Sequence, residues 1–144
     1  MQPPAIPMID PFTRTRFRTD LRLEAWYPEG LLDVTLATFI IHYVGFEESI
    51  ADEPFHRYAD LSKLTAVHLV FKDIADLVAI RRASYDGREP VKSAIFAPNA
   101  PAYGLAHMFA ALMEPSPIDV RVFREVAEAA EWLGVRVEAL AAEP

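Results

Sequence analysis

The chain has no cysteine. Disulfides, thiolate catalysis and cysteine metal sites are excluded outright. Glycine is scarce, with 5 among 144 residues, and no G-x-G-x-x-G or P-loop is present. A nucleotide cradle is therefore not expected, and no serine sits in a G-x-S-x-G elbow. Positive charge is in the minority: 14 Lys and Arg stand against 21 Asp and Glu, for a formal net charge of −7. A general nucleic-acid binder needs a basic surface to displace counterions, so that class is not expected. The longest uncharged run that could be helical, residues 34–46, is too short to span a bilayer. The N-terminus, MQPPAIPMIDPF, has no basic start and no apolar core, so it does not read as a signal peptide. A cytoplasmic location fits these absences.

What is present suffices for one domain with a real core, since 52% of the residues are hydrophobic. Pro3, Pro4, Pro7 and Pro11 forbid a helix over residues 1–12 and predict an extended arm. Arg14, Arg16 and Arg18 then alternate with Thr13, Thr15 and Phe17, a period of two and hence a strand. Leu21, Leu23 and Ala25 alternate with Arg22, Glu24 and Trp26, which predicts a second strand ending at the Pro28-Glu29-Gly30 turn. Asp33 is placed to cap a helix with the body VTLATFIIHYV and Gly45 near its end. FHRYADLS reads as a strand entering a loop, and HLVF as a short extended piece before a helix over about residues 73–85. Ile74, Leu77, Val78 and Arg81 share one stripe of that helix, with Lys72, Asp76 and Arg82 away from its centre.

Asp86-Gly87 breaks the helix, and residues 91–97 follow as a strand buried on both faces. Residues 102–113 form the next helix, with Pro101 near its first turn. Residues 118–123 are the last core strand. In residues 124–133, Val126, Ala129, Ala130 and Leu133 face inward while Glu125, Glu128 and Glu131 face water, until Gly134 stops the helix. The tail, residues 135–144, reads equally as a short strand or another turn of helix. Strands alternating with helices predict a mostly parallel sheet covered on both faces, with the N-terminal pair as an antiparallel edge.

Three segments carry a family likeness: YADLSKLTAVHLVFKDI, KSAIFAPNAPAYGLAHMF and VRVFREVAEAAEWLG. Their order and spacing over roughly residues 20–134 resemble the SpoIIAA-like family of small STAS/SEC14-type domains. The resemblance implies an α/β domain over residues 13–134, with a mixed, mostly parallel sheet of four to five strands flanked by helices. It also implies a binding or regulatory domain rather than an enzyme. Some relatives of this fold are phosphorylated antagonists of anti-sigma factors, and others, of the SEC14 type, enclose a lipid. The antagonists carry an Asp-Ser pair at the start of the helix after their second core strand. The matching segment here is Lys72-Asp73-Ile74-Ala75, where no serine follows the aspartate. A phosphoryl group needs a hydroxyl, so that switch is not expected; Ser62 in the preceding loop is the nearest alternative.

No convergent set of acid, base and nucleophile is apparent, so neither catalysis nor a cofactor is expected. His42, His56, His68 and His107 show no metal-ligand spacing, and Pro54 spoils a helical arrangement of Glu53 and His56, so no metal is expected. The strand-to-helix loop at Asn99 and Tyr103 is a candidate anion site, although an ordinary capped turn explains it as well. Arg14, Arg16, Arg18 and Arg22 could meet an acidic partner, but the plainer reading is an edge strand protected by charge. Arg81-Arg82 reads as a solvated helix end.

The helix over residues 102–113 has no charged residue on either face. Ala102, Leu105, Ala106, Phe109, Leu112 and Met113 make its sheet-packing face. Gly104, His107, Met108 and Ala111, with Tyr103 at the margin, make the other. Residues 34–44 are equally uncharged, with Phe39 and Tyr43 on one stripe. Something must cover these faces: a second subunit, an apolar ligand between helices and sheet, or the N-terminal arm. A homodimer contact through Tyr103, Gly104, His107, Met108, Ala111, Phe39 and Tyr43 is the first expectation. A lipid-like or other apolar ligand is the alternative, and an unidentified regulatory protein is a further partner.

Overall fold

Alternation in the N-terminal segment produces an antiparallel strand pair. The structure is a computed structural model that describes residues 13–142, with only the backbone of Thr13 and Arg14. The expected arm, residues 1–12, lies outside the described residues. Strand β1 (Thr13–Arg18) pairs antiparallel with β2 (Leu23–Pro28). The second strand starts later than the alternation suggested, because Thr19–Leu21 forms a 3-10 turn that closes on Arg22. Arg22 adopts a left-handed backbone, at φ 49°, and so resets the chain direction.

Gly30, at φ +79°, does not merely end β2; it opens a short strand, β3 (Gly30–Asp33), that alternation over four residues could not reveal. Asp33 then caps α1 (Val34–Ile50), its carboxylate accepting from the Leu36 N–H at 2.9 Å. Gly45 does not stop this helix. It lies inside α1, where a Cβ would just touch Ser84 at 3.6 Å, and α1 continues through Glu47 and Glu48. Strand β4 (His56–Asp60) follows, then β5 (Leu64–His68), which pairs with β3 in a separate two-stranded parallel sheet. Helix α2 (Phe71–Tyr85) begins earlier than expected, with Asp73 accepting from the Val70 N–H at 2.9 Å.

Strand β6 (Val91–Phe96), helix α3 (Ala100–Leu112), strand β7 (Ile118–Phe123) and helix α4 (Val126–Leu133) complete the alternation. Gly134 stops α4 at φ +76°, a conformation that favours glycine. The undecided tail resolves as a 3-10 turn, Val137–Leu140, whose Leu140 is buried.

The main sheet has five strands in the order β1-β2-β4-β6-β7, parallel throughout except for the β1–β2 pair. β6 and β7 are parallel neighbours. Among the described residues β7 is nevertheless an edge of the sheet, with β6 as its one partner there. Alternation along the strands divides the core in two. Leu23, Ala25, Tyr27, Tyr58 and Ala94 face α4 and the tail. Trp26, Ala59, Ile95, Ile118 and Val120 face the layer of α1, α2 and α3. The second of these faces holds the site described next.

Candidate functional site

A cavity of about 150 Å³ lies between the sheet and the helices α1, α2 and α3. Ile40, Ile41 and Val44 of α1 wall it on one side, and Leu105 and Phe109 of α3, with Met113 just after that helix, on the other. Trp26, Ala59 and Ile95 form the sheet side, and Leu77 comes from α2. Small side chains open the space: Ala37 and Ala106 are buried and line it, where a larger residue would fill it.

At one end the wall becomes charged. Arg57 and Arg81 line the cavity, and both are held by carboxylates. Arg81 donates to both oxygens of Glu48, at 2.5 and 2.7 Å. Arg57 donates to Glu24 at 2.6 Å, to Glu48 at 3.3 Å and to the Val44 carbonyl at 3.4 Å. The side chains are 2% exposed at Glu24, 4% at Glu48 and Arg81 and 11% at Arg57, so this is an internal network. Burial opposes ionisation of Glu48, but the Arg81 hydrogen bonds and the charges of Arg57 and Arg81 outweigh it and hold its carboxyl below the usual range.

Glu47 stands beside the network with the opposite tendency. Burial first, and then the Glu24 carboxylate next to it, push Glu47 up to about 8. Its Oε1 is buried with no hydrogen-bond partner among the described residues. With Glu47 protonated, two carboxylates face two guanidiniums and the buried charge balances. The indole Nε1 of Trp26 is likewise buried without a partner among the described residues. The same is true of the Tyr58 hydroxyl, which lies on the opposite face of the sheet with its ring 6.3 Å from that of Tyr27.

This constellation was not foreseen from the sequence, and it corrects one reading. Arg81 is no solvated helix end; it sits 4% exposed against Glu48. Its place on a stripe with Ile74, Leu77 and Val78 was the available signal, because an arginine on a buried stripe needs a buried carboxylate. Arg82 does occupy a helix end, but of its neighbour: it donates to the Met113 carbonyl at 2.9 Å, at the C-terminus of α3.

The residues named for a dimer contact lie elsewhere on the same helical layer. Gly104, His107 and Ala111 are exposed along α3. Met108 is half-buried and packs on the core, so it does not point wholly away from the sheet. The Tyr103 ring meets His107 at 4.4 Å, and the Arg124 guanidinium lies 3.9 Å from its centre. Phe39 and Tyr43 of α1 stack at 6.2 Å, and burial and Glu47 raise the Tyr43 hydroxyl. At the loop before α3, the Asn99 amide donates to the Ser62 carbonyl at 3.2 Å and the Asn99 carbonyl accepts from the Tyr103 N–H at 2.8 Å.

The arginine ladder is dispersed. Arg16 donates to the Ala141 carbonyl at 2.8 Å, Arg18 pairs with Asp20 and Arg22 with Glu53. His42, His68 and His107 are exposed, while the His56 ring accepts from the Lys92 N–H at 2.9 Å. No group of three or more metal-ligating side chains occurs among the described residues. Among them, too, no helix is long and apolar enough to cross a membrane.

No protein-family model and no curated protein matches the chain. A solved structure does. The crystal structure of an uncharacterized protein of the DUF3478 family from Shewanella loihica PV-4, described as having a SpoIIAA-like fold, superposes with a TM-score of 0.54. The two sequences are 14% identical, over 84% of this chain and 91% of that one. The chain therefore has a SpoIIAA-like fold, in agreement with the likeness of its three sequence segments.

Proposed function

We propose that the protein is a non-enzymatic binding domain that takes a small apolar molecule into the cavity between α1, α2, α3 and the sheet. The observation that carries this reading is the cavity itself, about 150 Å³ with aliphatic and aromatic walls. An apolar space of that order stays dry and accepts a benzene-sized guest, because desolvating the guest costs the wall no hydrogen bond. The serine phospho-switch of the anti-sigma antagonists plays no part: Asp73 caps α2 and Ala75 offers no hydroxyl. The acidic, cysteine-free chain fits a cytoplasmic setting. Calorimetric titration with small aromatic and alicyclic hydrocarbons tests the proposal. Binding is expected in the wild type and is lost in Ala106→Phe, whose ring occupies the space. Absence of binding by every member of such a panel would sink it.

A homodimer is the second reading. It is favoured by the exposed, charge-free stripe of Gly104, His107 and Ala111 on α3. Light scattering at high micromolar concentration is expected to show a dimer that Ala111→Arg dissociates. Ala111 is the better probe than Met108, because Met108 also packs inward. A wild-type monomer overturns this reading alone.

A further inference from the structure

The polar groups at the cavity are not equally available, and the difference defines the ligand. Arg57 and Arg81 have their guanidiniums engaged by Glu24 and Glu48, at 2.5 to 3.3 Å, so their charge is already neutralised. An anionic ligand would therefore add a further buried negative charge to guanidiniums that two buried carboxylates already balance, and an uncompensated buried charge is costly. Trp26 also lines the cavity, and its indole N–H is buried with no acceptor among the described residues. A buried donor without an acceptor forfeits the hydrogen bond it makes to water in the unfolded chain. Ile40, Ile41, Leu105 and Phe109 offer no side-chain oxygen, and the Ser93 hydroxyl, which also lines the cavity, makes no hydrogen bond with the indole N–H. An acceptor for Trp26 can therefore come from within the cavity.

We infer that the ligand is an uncharged, mostly apolar molecule carrying one acceptor oxygen of the carbonyl type, which accepts from the Trp26 indole N–H while its hydrocarbon body fills the space between α1 and α3. This rests on the apolar-ligand reading of the same cavity, and adds to it the polarity and orientation of the guest. Trp26 becomes the residue that selects for the oxygen. The paired arginines become the feature that selects against a carboxylate. The cavity volume limits the guest to about the size of a substituted benzene.

The test uses the full chain, labelled with ¹⁵N, and three probes of similar size: acetophenone, ethylbenzene and benzoate. Acetophenone is expected to move the Trp26 indole proton downfield, as hydrogen-bond donation does, and to leave the Trp132 indole in place. Ethylbenzene binds without the downfield shift, and benzoate binds more weakly than acetophenone. Trp26→Phe is expected to weaken acetophenone about 3- to 10-fold more than it weakens ethylbenzene, the range of one net hydrogen bond. If the variant does not fold, the wild-type indole shift decides alone. Acetophenone and ethylbenzene both binding with no downfield shift at Trp26 overturns the inference and leaves the cavity reading standing. Benzoate binding tightest overturns the selection against charge. Binding by none of the three overturns both the inference and the reading beneath it.

Discussion

Glu48 is the residue on which the buried network depends, since it holds Arg81 in a bidentate pair and touches Arg57 as well. With both side chains 4% exposed, neither Glu48 nor Arg81 can exchange its partner for water. Glu48→Ala is expected to cost about 3–5 kcal/mol in urea unfolding, because it strands a buried guanidinium. Replacing both partners, Glu48→Leu with Arg81→Met, is expected to recover most of that loss, which a double-mutant cycle measures. Glu47 predicts a pH effect of opposite sign. Its carboxyl faces Glu24 of β2, Arg57 of β4 and Tyr43 of its own helix, and is raised from an ordinary 4.5 to about 8. The folded state therefore holds a proton that the unfolded chain has released. The stability this proton supplies is fully present below pH 4.5 and is lost as pH rises to about 8. Glu48, with a lowered carboxyl, contributes stability that is lost on acidification instead. The melting temperature of the wild type is expected to fall between about pH 5 and 8, and Glu47→Gln to flatten that limb. An unchanged slope in the variant would place the titration elsewhere.

At the scale of elements, α3 is the unusual one. Its inner side, Ala102 and Ala106, lies against the sheet, and its outer side exposes Gly104, His107 and Ala111. Among the described residues nothing lies within 4 Å of where a Cβ on Gly104 would stand, so no packing among them requires glycine there. Gly104→Ala is expected to raise stability by about 0.5–1 kcal/mol, the intrinsic helix preference, read as a shift in the urea midpoint. A loss of stability would show that the backbone needs glycine's freedom after all. Helix α1 illustrates the reverse case. Its first thirteen residues are uncharged, but its last turn places Glu47 and Glu48 beside the sheet, where the interior strands β2 and β4 supply Glu24 and Arg57.

For the whole molecule, the layered fold separates two tasks. The α4 face is closed by Ala129, Ala130 and Leu133 and by the tail's Leu140, and forms a plain core. The α1–α3 face leaves a void, and a void forfeits dispersion contacts that a packed core would make. Ala106→Leu is expected to fill part of it, with a stability change inside about 1 kcal/mol of wild type and a loss of apolar-ligand binding. A cost above about 3 kcal/mol would mean that the space is too narrow for three more carbons, and would count against a guest of any kind.

The sequence by itself determined most of the order of strands and helices, though not β3 or the position of β5, because alternation at Arg14 to Phe17 and the stripes of α2 and α4 are local periodicities. The caps at Asp33 and Gly134 were legible for the same reason: they depend on one residue and its immediate neighbours. The three quoted segments carried the fold likeness. Only the tertiary structure decided that β7 is an edge, that Arg81 is buried, and that Glu24, Glu47, Glu48 and Arg57 converge. Those facts depend on strand order, which joins β2 to β4 across more than thirty residues and leaves no local pattern in the chain. The cavity is the extreme case. It is defined by what Ala37 and Ala106 fail to fill once three helices and a sheet are packed together, and an unfilled volume has no sequence signature.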